Sequence, residues 1–212
     1  MNTLIVIRAG ETAWHQGRPT ADESRIQGTV SLPLTPAAEE FLRTVSASIA
    51  QYHPDCIYSS GNESSGPTAE FLGQLCTLKP KTLPGLHELD CGLWQGLRIR
   101  EIKKRYGRAY RQWCCDPTSV RPPQGESLEE AARRVRKTLR NLNKKNQDKT
   151  IVVVAAVMVA ALIECLLTGT PLEQLWPIVE KHEHIRLFDI TQPLDLSDVS
   201  AHFLSSRQDY VA

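Results

Sequence analysis

The 212-residue chain reads as an α/β protein, a three-layer α/β/α sandwich with a mainly parallel sheet. Three observations predict this. Short β-prone runs alternate with segments of helical period, the pattern of strands joined by crossover helices. Ile151–Ile163 (IVVVAAVMVAALI) is unbroken apolar sequence, as expected of a strand and helix buried on all sides. Hydrophobic residues make up 41% and charged residues 23% of the chain, a balance that supports a core and argues against disorder.

The elements follow in order. Thr3–Arg8 (TLIVIR) is the first strand, and Gly10 breaks it. Thr35 caps a helix from Pro36 to about Tyr52, with proline at the first helical position, where its missing N–H is harmless. Asp55–Ser59 is the next strand, a helix follows around Pro67–Leu75, and extended sequence is expected at Lys81–Leu83 and Leu86–Leu89. Leu97–Asp116 carries two short helical patterns, and Arg121-Pro122-Pro123 marks a loop. Residues 97–123 are read as a helical insertion within one domain spanning 1–212. Ser127 opens a long helix to about Asn143, with Glu130 at the capping-box position. Leu128, Ala131, Val135, Leu139 and Leu142 form its apolar face. The apolar run then divides into a strand, Ile151–Ala155, and a helix, Met158–Leu167, because it falls short of the ~17 residues a membrane span needs. His184–Ile190 is the last strand candidate.

The formal net charge of +1 says nothing about partners. The distribution is less even: Arg98–Lys145 holds fifteen Lys/Arg against five Asp/Glu. Glu129 and Glu130 open the long helix while Arg140 and Lys144 close it, which suits the helix dipole. A solvated helix face therefore accounts for much of the basic stretch, with anion binding as the alternative. The six cysteines form no C-x-x-C pair and no zinc-ligand spacing, so no metal or cofactor is expected. Met1-Asn2 leads straight into the first strand without a basic leader, so a cytoplasmic setting with reduced thiols is expected, the adjacent Cys114 and Cys115 included.

Four stretches carry the functional signal. They are Leu4–Trp14 (LIVIRAGETAW) with Arg25–Thr35 (RIQGTVSLPLT), Ile57–Glu70 (IYSSGNESSGPTAE), Leu86–Leu97 (LHELDCGLWQGL), and Ile151–Leu162 (IVVVAAVMVAAL). In order and separation they resemble the phosphoglycerate-mutase branch of the histidine phosphatase superfamily, and Gly125-Glu126-Ser127 is in keeping. The resemblance implies a phosphoglycerate-mutase-like fold. It also implies a site in which a histidine after the first strand attacks phosphorus. Two arginines and a second histidine hold the phosphoryl oxygens there, and a glutamate moves the proton.

Carried over residue by residue, the nucleophile position is Ala9, the second histidine falls on Ala156, and the second arginine on Ser64. Only Arg8 and Glu88 match, so no catalytic set is intact and phosphate binding reduces to Arg8. His15, Ser31 and Val157 stand where asparagine, aspartate and glycine are usual. Arg8 and Glu88 are read either as an internal ion pair, with Glu11 as another partner for Arg8, or as a residual ligand site. Trp94 is read as core rather than as a substrate wall. None of His15, His87, His182 and His184 replaces the lost nucleophile on the family pattern.

The expectation is a catalytically inactive histidine-phosphatase-like protein, a pseudoenzyme (pseudophosphatase) that binds an unknown protein or a small phosphorylated ligand. The alternative is a weak or altered phosphoester hydrolase using water, with Arg8 orienting phosphate and Glu88 as base. Nucleic-acid binding is not expected, because Arg98–Lys145 contains no recognised module. Phosphate should bind weakly at best, with Arg8 held by a protein carboxylate and the amides after Ala156 still able to attract an anion.

Overall fold

The computed structural model describes residues 3–15, 22–181 and 184–190. Five strands form one sheet: β1 Thr3–Arg8, β2 Cys56–Ser59, β3 Lys81–Thr82, β4 Thr150–Ala155 and β5 Ile185–Asp189. Their order is β3-β2-β4-β1-β5, parallel except for β5, which runs antiparallel to β1 at the edge. Among the described residues, six α-helices accompany them: α1 Pro36–Ala50, α2 Ser65–Cys76, α3 Ile99–Cys115, α4 Leu128–Lys145, α5 Val157–Thr168 and α6 Leu175–Glu180.

Alternation along the strands builds the layers. Ile5, Ile7, Ile57, Val152 and Val154 point to one face and are covered by Leu42, Val45 and Ile49 of α1 and Leu72 of α2. Leu4, Val6, Tyr58, Ile151 and Val153 point to the other, under residues of α3 to α6 such as Trp113, Leu139, Leu162 and Leu175. The chain leaves β1 for α1 on the first face and leaves β4 for α5 on the second. Adjacent parallel strands whose helices diverge in this way leave a crevice at their carboxyl ends.

The expected elements are present, with differences that have local causes. The long helix α4 begins at its capping box: Ser127 Oγ accepts from Glu130 N (3.2 Å), and the Glu130 carboxylate accepts from Ser127 N (2.9 Å). The two short helical patterns before it form one helix, α3, broken at Tyr106 (φ −130°, ψ 30°) just before Gly107. The extended run expected at Leu86–Leu89 instead begins in a short 3₁₀ turn, Pro84–Leu86, because Pro84 fixes a turn-compatible φ next to a permissive glycine. His182 and the side chain of His15 lie outside the described residues. No helix among the described residues is long and apolar enough to cross a membrane.

The α4 cap and the core beneath it give a stability test. Ser127→Ala is expected to cost about 1 kcal/mol. Leu139→Ala, at a fully buried position, is expected to cost about 3 kcal/mol. Urea denaturation of the two variants checks both values, and near-wild-type stability of Leu139→Ala would contradict the packing described.

Candidate functional site at the β1–β4 switch point

The residues after β1 and β4 meet where the two strands diverge. Ala9 N donates to Ala155 O (2.8 Å), so Ala9 lies beside the chain as it turns into Ala156. Ala156 occupies the N-cap position of α5 with no side chain to cap it. Gly10 N donates to Thr68 Oγ1 (2.9 Å), and that hydroxyl donates to Ser64 O (2.7 Å), which brings the first turn of α2 against the same loop. Ala9, Ser64 and Ala156 are 5%, 2% and 4% exposed, so all three are buried.

Glu88 completes the cluster from the loop before α3. Its Oε2 accepts from Met158 N (2.8 Å), and its Oε1 accepts from Val159 N (3.2 Å) and Leu89 N (2.7 Å). The first-turn amides of α5 lack intrahelical acceptors, and Ala156 has none to offer. Glu88 therefore caps α5 from 70 residues away. The anion-attracting amides expected after Ala156 are thus already engaged by a protein carboxylate. Burial pushes the Glu88 carboxyl up to about 7; the amides of Leu89 and Met158 and the charge of Arg134 oppose that rise, while Glu63 adds to it.

Arg8 departs from expectation. Alternation puts Val6 and Arg8 on the α5–α6 side of the sheet and Ala9 on the α1–α2 side. The guanidinium donates to Val179 O at 3.0 Å, at the end of α6. It makes no ion pair with Glu88 or Glu11, contrary to both pairings expected; these carboxylates act on it only through space. Burial pulls its pKa down, and the two carboxylates oppose that. The crevice beside it, lined by Val157, Ala160, Glu164, Val179 and Arg186, has a volume of about 20 Å³. That is room for about one water.

Glu63 is the functional-type residue that sequence reasoning missed. It is 1% exposed, has φ +49°, and accepts from the hydroxyls of Ser60 and Ser65 and from Glu88 N (3.2 Å). Its only sequence signal is the surrounding hydroxyl-rich run, Ser59–Ser65. Arg134 of α4 holds the Glu88 loop from outside, donating to Gly85 O (3.1 Å) and Glu88 O (3.2 Å) while forming a two-pronged pair with Glu126. His87 Nδ1 lies 2.8 Å from the Glu88 carbonyl oxygen. Trp94 is fully buried and meets Tyr110 and Trp113 edge-on, which supports its reading as core. No group of metal-ligating side chains forms among the described residues.

A pH experiment follows from Glu88. Its folded-state pKa lies above the unfolded value of about 4.3, so its contribution to stability is fully present below that pH and lost as pH rises through about 7. The loss is expected to be about 4 kcal/mol at most. Glu88→Gln should flatten this part of the pH dependence. Glu88→Ala, which orphans the amides of Met158 and Val159, should cost about 3 kcal/mol at pH ~5. Urea midpoints across this range check both, and an unchanged slope in Glu88→Gln would rule the assignment out.

Known proteins can now be set beside this geometry. The family model of the histidine phosphatase superfamily (branch 1) matches residues 4–192. Phosphoserine phosphatase 1 of Hydrogenobacter thermophilus is 27% identical over 176 residues, 83% of this chain and 81% of that protein. A probable phosphoglycerate mutase GpmB of Proteus mirabilis is 30% identical over 173 residues, 81% of this chain and 77% of its own. Among solved structures, YhfR of Bacillus stearothermophilus superposes with a TM-score of 0.81 at 21% identity, covering 91% of this chain and 93% of that one, a likeness of fold. With a crevice at the ends of β1 and β4 and a sequence match along nearly its whole length, the chain belongs to the histidine phosphatase superfamily, branch 1.

Proposed function

We propose that this chain is a catalytically inactive member of its family, a pseudophosphatase whose retained fold serves a binding or regulatory role. The observation that carries the reading is the chemistry left at the switch point. Phosphoryl transfer needs a nucleophile and several cations around the phosphoryl oxygens, and electrostatic stabilisation is usually its largest component. Ala9, Ser64 and Ala156 offer a methyl group, a hydroxyl and a methyl group, all buried. Arg8 directs its guanidinium to Val179, and Glu88 uses both oxygens to cap α5.

A weak hydrolase is the second reading, favoured by the Glu88 carboxyl near 7, a range suited to acid–base work, and by relatives named as phosphatases. In it, water attacks phosphorus as Glu88 takes its proton, the ester P–O bond breaks, and Glu88 returns the proton to the leaving oxygen, giving an alcohol and inorganic phosphate. Against it stands the engagement of both groups: the Glu88 oxygens accept from the amides of Leu89, Met158 and Val159, and the Arg8 guanidinium donates to Val179 O.

Purified protein is expected to show no turnover of p-nitrophenyl phosphate, phosphoserine or phosphoglycerates. Ala9→His alone should stay inactive, because a restored nucleophile would lack cationic partners. Turnover that co-purifies with the protein and disappears in Glu88→Gln would overturn the proposal in favour of the hydrolase.

A further inference from the structure

Charge is segregated in this chain. Residues 98–145 hold fifteen of the 25 Lys/Arg and only five of the 24 Asp/Glu, so the rest is acidic by nearly as much. Much of the excess lies on the outside of α3. Ile99, Ile102, Tyr110 and Trp113 bury its apolar face, while Arg100, Lys103, Lys104, Arg105, Arg108 and Arg111 are exposed. Arg100 is paired with Glu23, and Lys103 with Asp22 (2.7 Å). Glu101, the one carboxylate of the helix, accepts from Arg98 N at 2.8 Å and so closes the cap. Lys104, Arg105, Arg108 and Arg111 have no ion-paired carboxylate among the described residues.

We propose that this outward face of α3 is a docking surface for an acidic segment of a partner polypeptide, a short run of Asp and Glu. Lys104 and Arg105 precede the break at Tyr106 and Arg108 and Arg111 follow it, so the cations are presented from two adjoining helical segments. Three of the four cations are arginines, whose planar forks bind carboxylates in a two-pronged manner. The aromatic side chains of α3 are turned inward, so the face offers single-stranded nucleic acid no stacking platform. Its bulky apolar residues Ile99, Ile102, Tyr110 and Trp113 are buried, which leaves the face without a large apolar side chain to enter a lipid surface. The surface is separate from the switch-point site, and its test is independent of whether that site turns over phosphate.

The test is fluorescence anisotropy of a labelled peptide of alternating Glu and Asp, about ten residues long, at about 50 mM salt and again at about 300 mM. Saturable binding is expected at low salt, weakened about tenfold or more at high salt. Lys104→Glu, Arg108→Glu and Arg111→Glu together should weaken it by at least about tenfold. Arg133→Glu, Lys137→Glu and Lys144→Glu on α4 change the net charge equally and should weaken it by no more than about threefold. Milder Lys104→Gln, Arg108→Gln and Arg111→Gln changes serve if the reversed variant loses its circular-dichroism signature. No binding at low salt, equal losses in the two triple variants, or tighter binding of a DNA duplex, a single-stranded oligonucleotide or phosphatidylserine vesicles would each overturn the proposal.

Discussion

A helix that begins inside a protein must find acceptors for its first amide groups, and α5 begins at the most crowded point of this fold. Its N-cap residue, Ala156, has no polar atom in its side chain. The acceptors come instead from Glu88, a carboxylate on a loop joining the other half of the sheet to α3. That one side chain ties the turn after β4 to the 85–90 loop. Arg134 of α4 and Glu126, just before that helix, brace the loop, and Glu63 receives the Glu88 amide from the α2 side. The path of the chain around the crevice depends on this buried carboxylate being where it is. A structural demand of this kind explains why a glutamate stands here when its neighbours in the site are alanine and serine.

Much of the architecture was legible because it is set by local rules. The Ser127–Glu130 capping box, the proline at the start of α1 and the break inside α3 are short-range features that the residues themselves dictate. The motif order also located the site, because motif residues follow strand ends and strand ends converge in a parallel sheet. Side-chain destinations were less legible. Arg8 and Ala9 are neighbours in sequence but lie on opposite faces of the sheet, and the two-residue period of β1 contained that information. The Val179 carbonyl that receives Arg8 comes from 171 residues away, and no local pattern announces it. Glu63 was invisible for another reason: a glutamate in a hydroxyl-rich turn reads as surface until the fold buries it.

The two faces of the protein have different chemistry. Around the switch point the charged groups are few, buried and engaged by backbone or hydroxyl partners. On the outside of α3 they are many, exposed and mostly of one sign; among the described residues Arg98 and Arg100 pair with Glu23 and Lys103 pairs with Asp22. Buried charges of the first kind are held in place by the cost of leaving them unpaired, which favours a fixed arrangement. Exposed charges of the second kind are solvated and cost the fold little.

The cap that Glu88 provides also shapes how the protein breathes. Helix ends ordinarily fray one residue at a time, each opening independent of distant parts of the chain. Here the amide hydrogens of Met158 and Val159 are shielded by an acceptor that belongs to another segment. Lifting of that segment exposes them, so opening of the 85–90 loop also unprotects the first turn of α5. Two stretches separated by 70 positions in sequence are therefore coupled in their local opening.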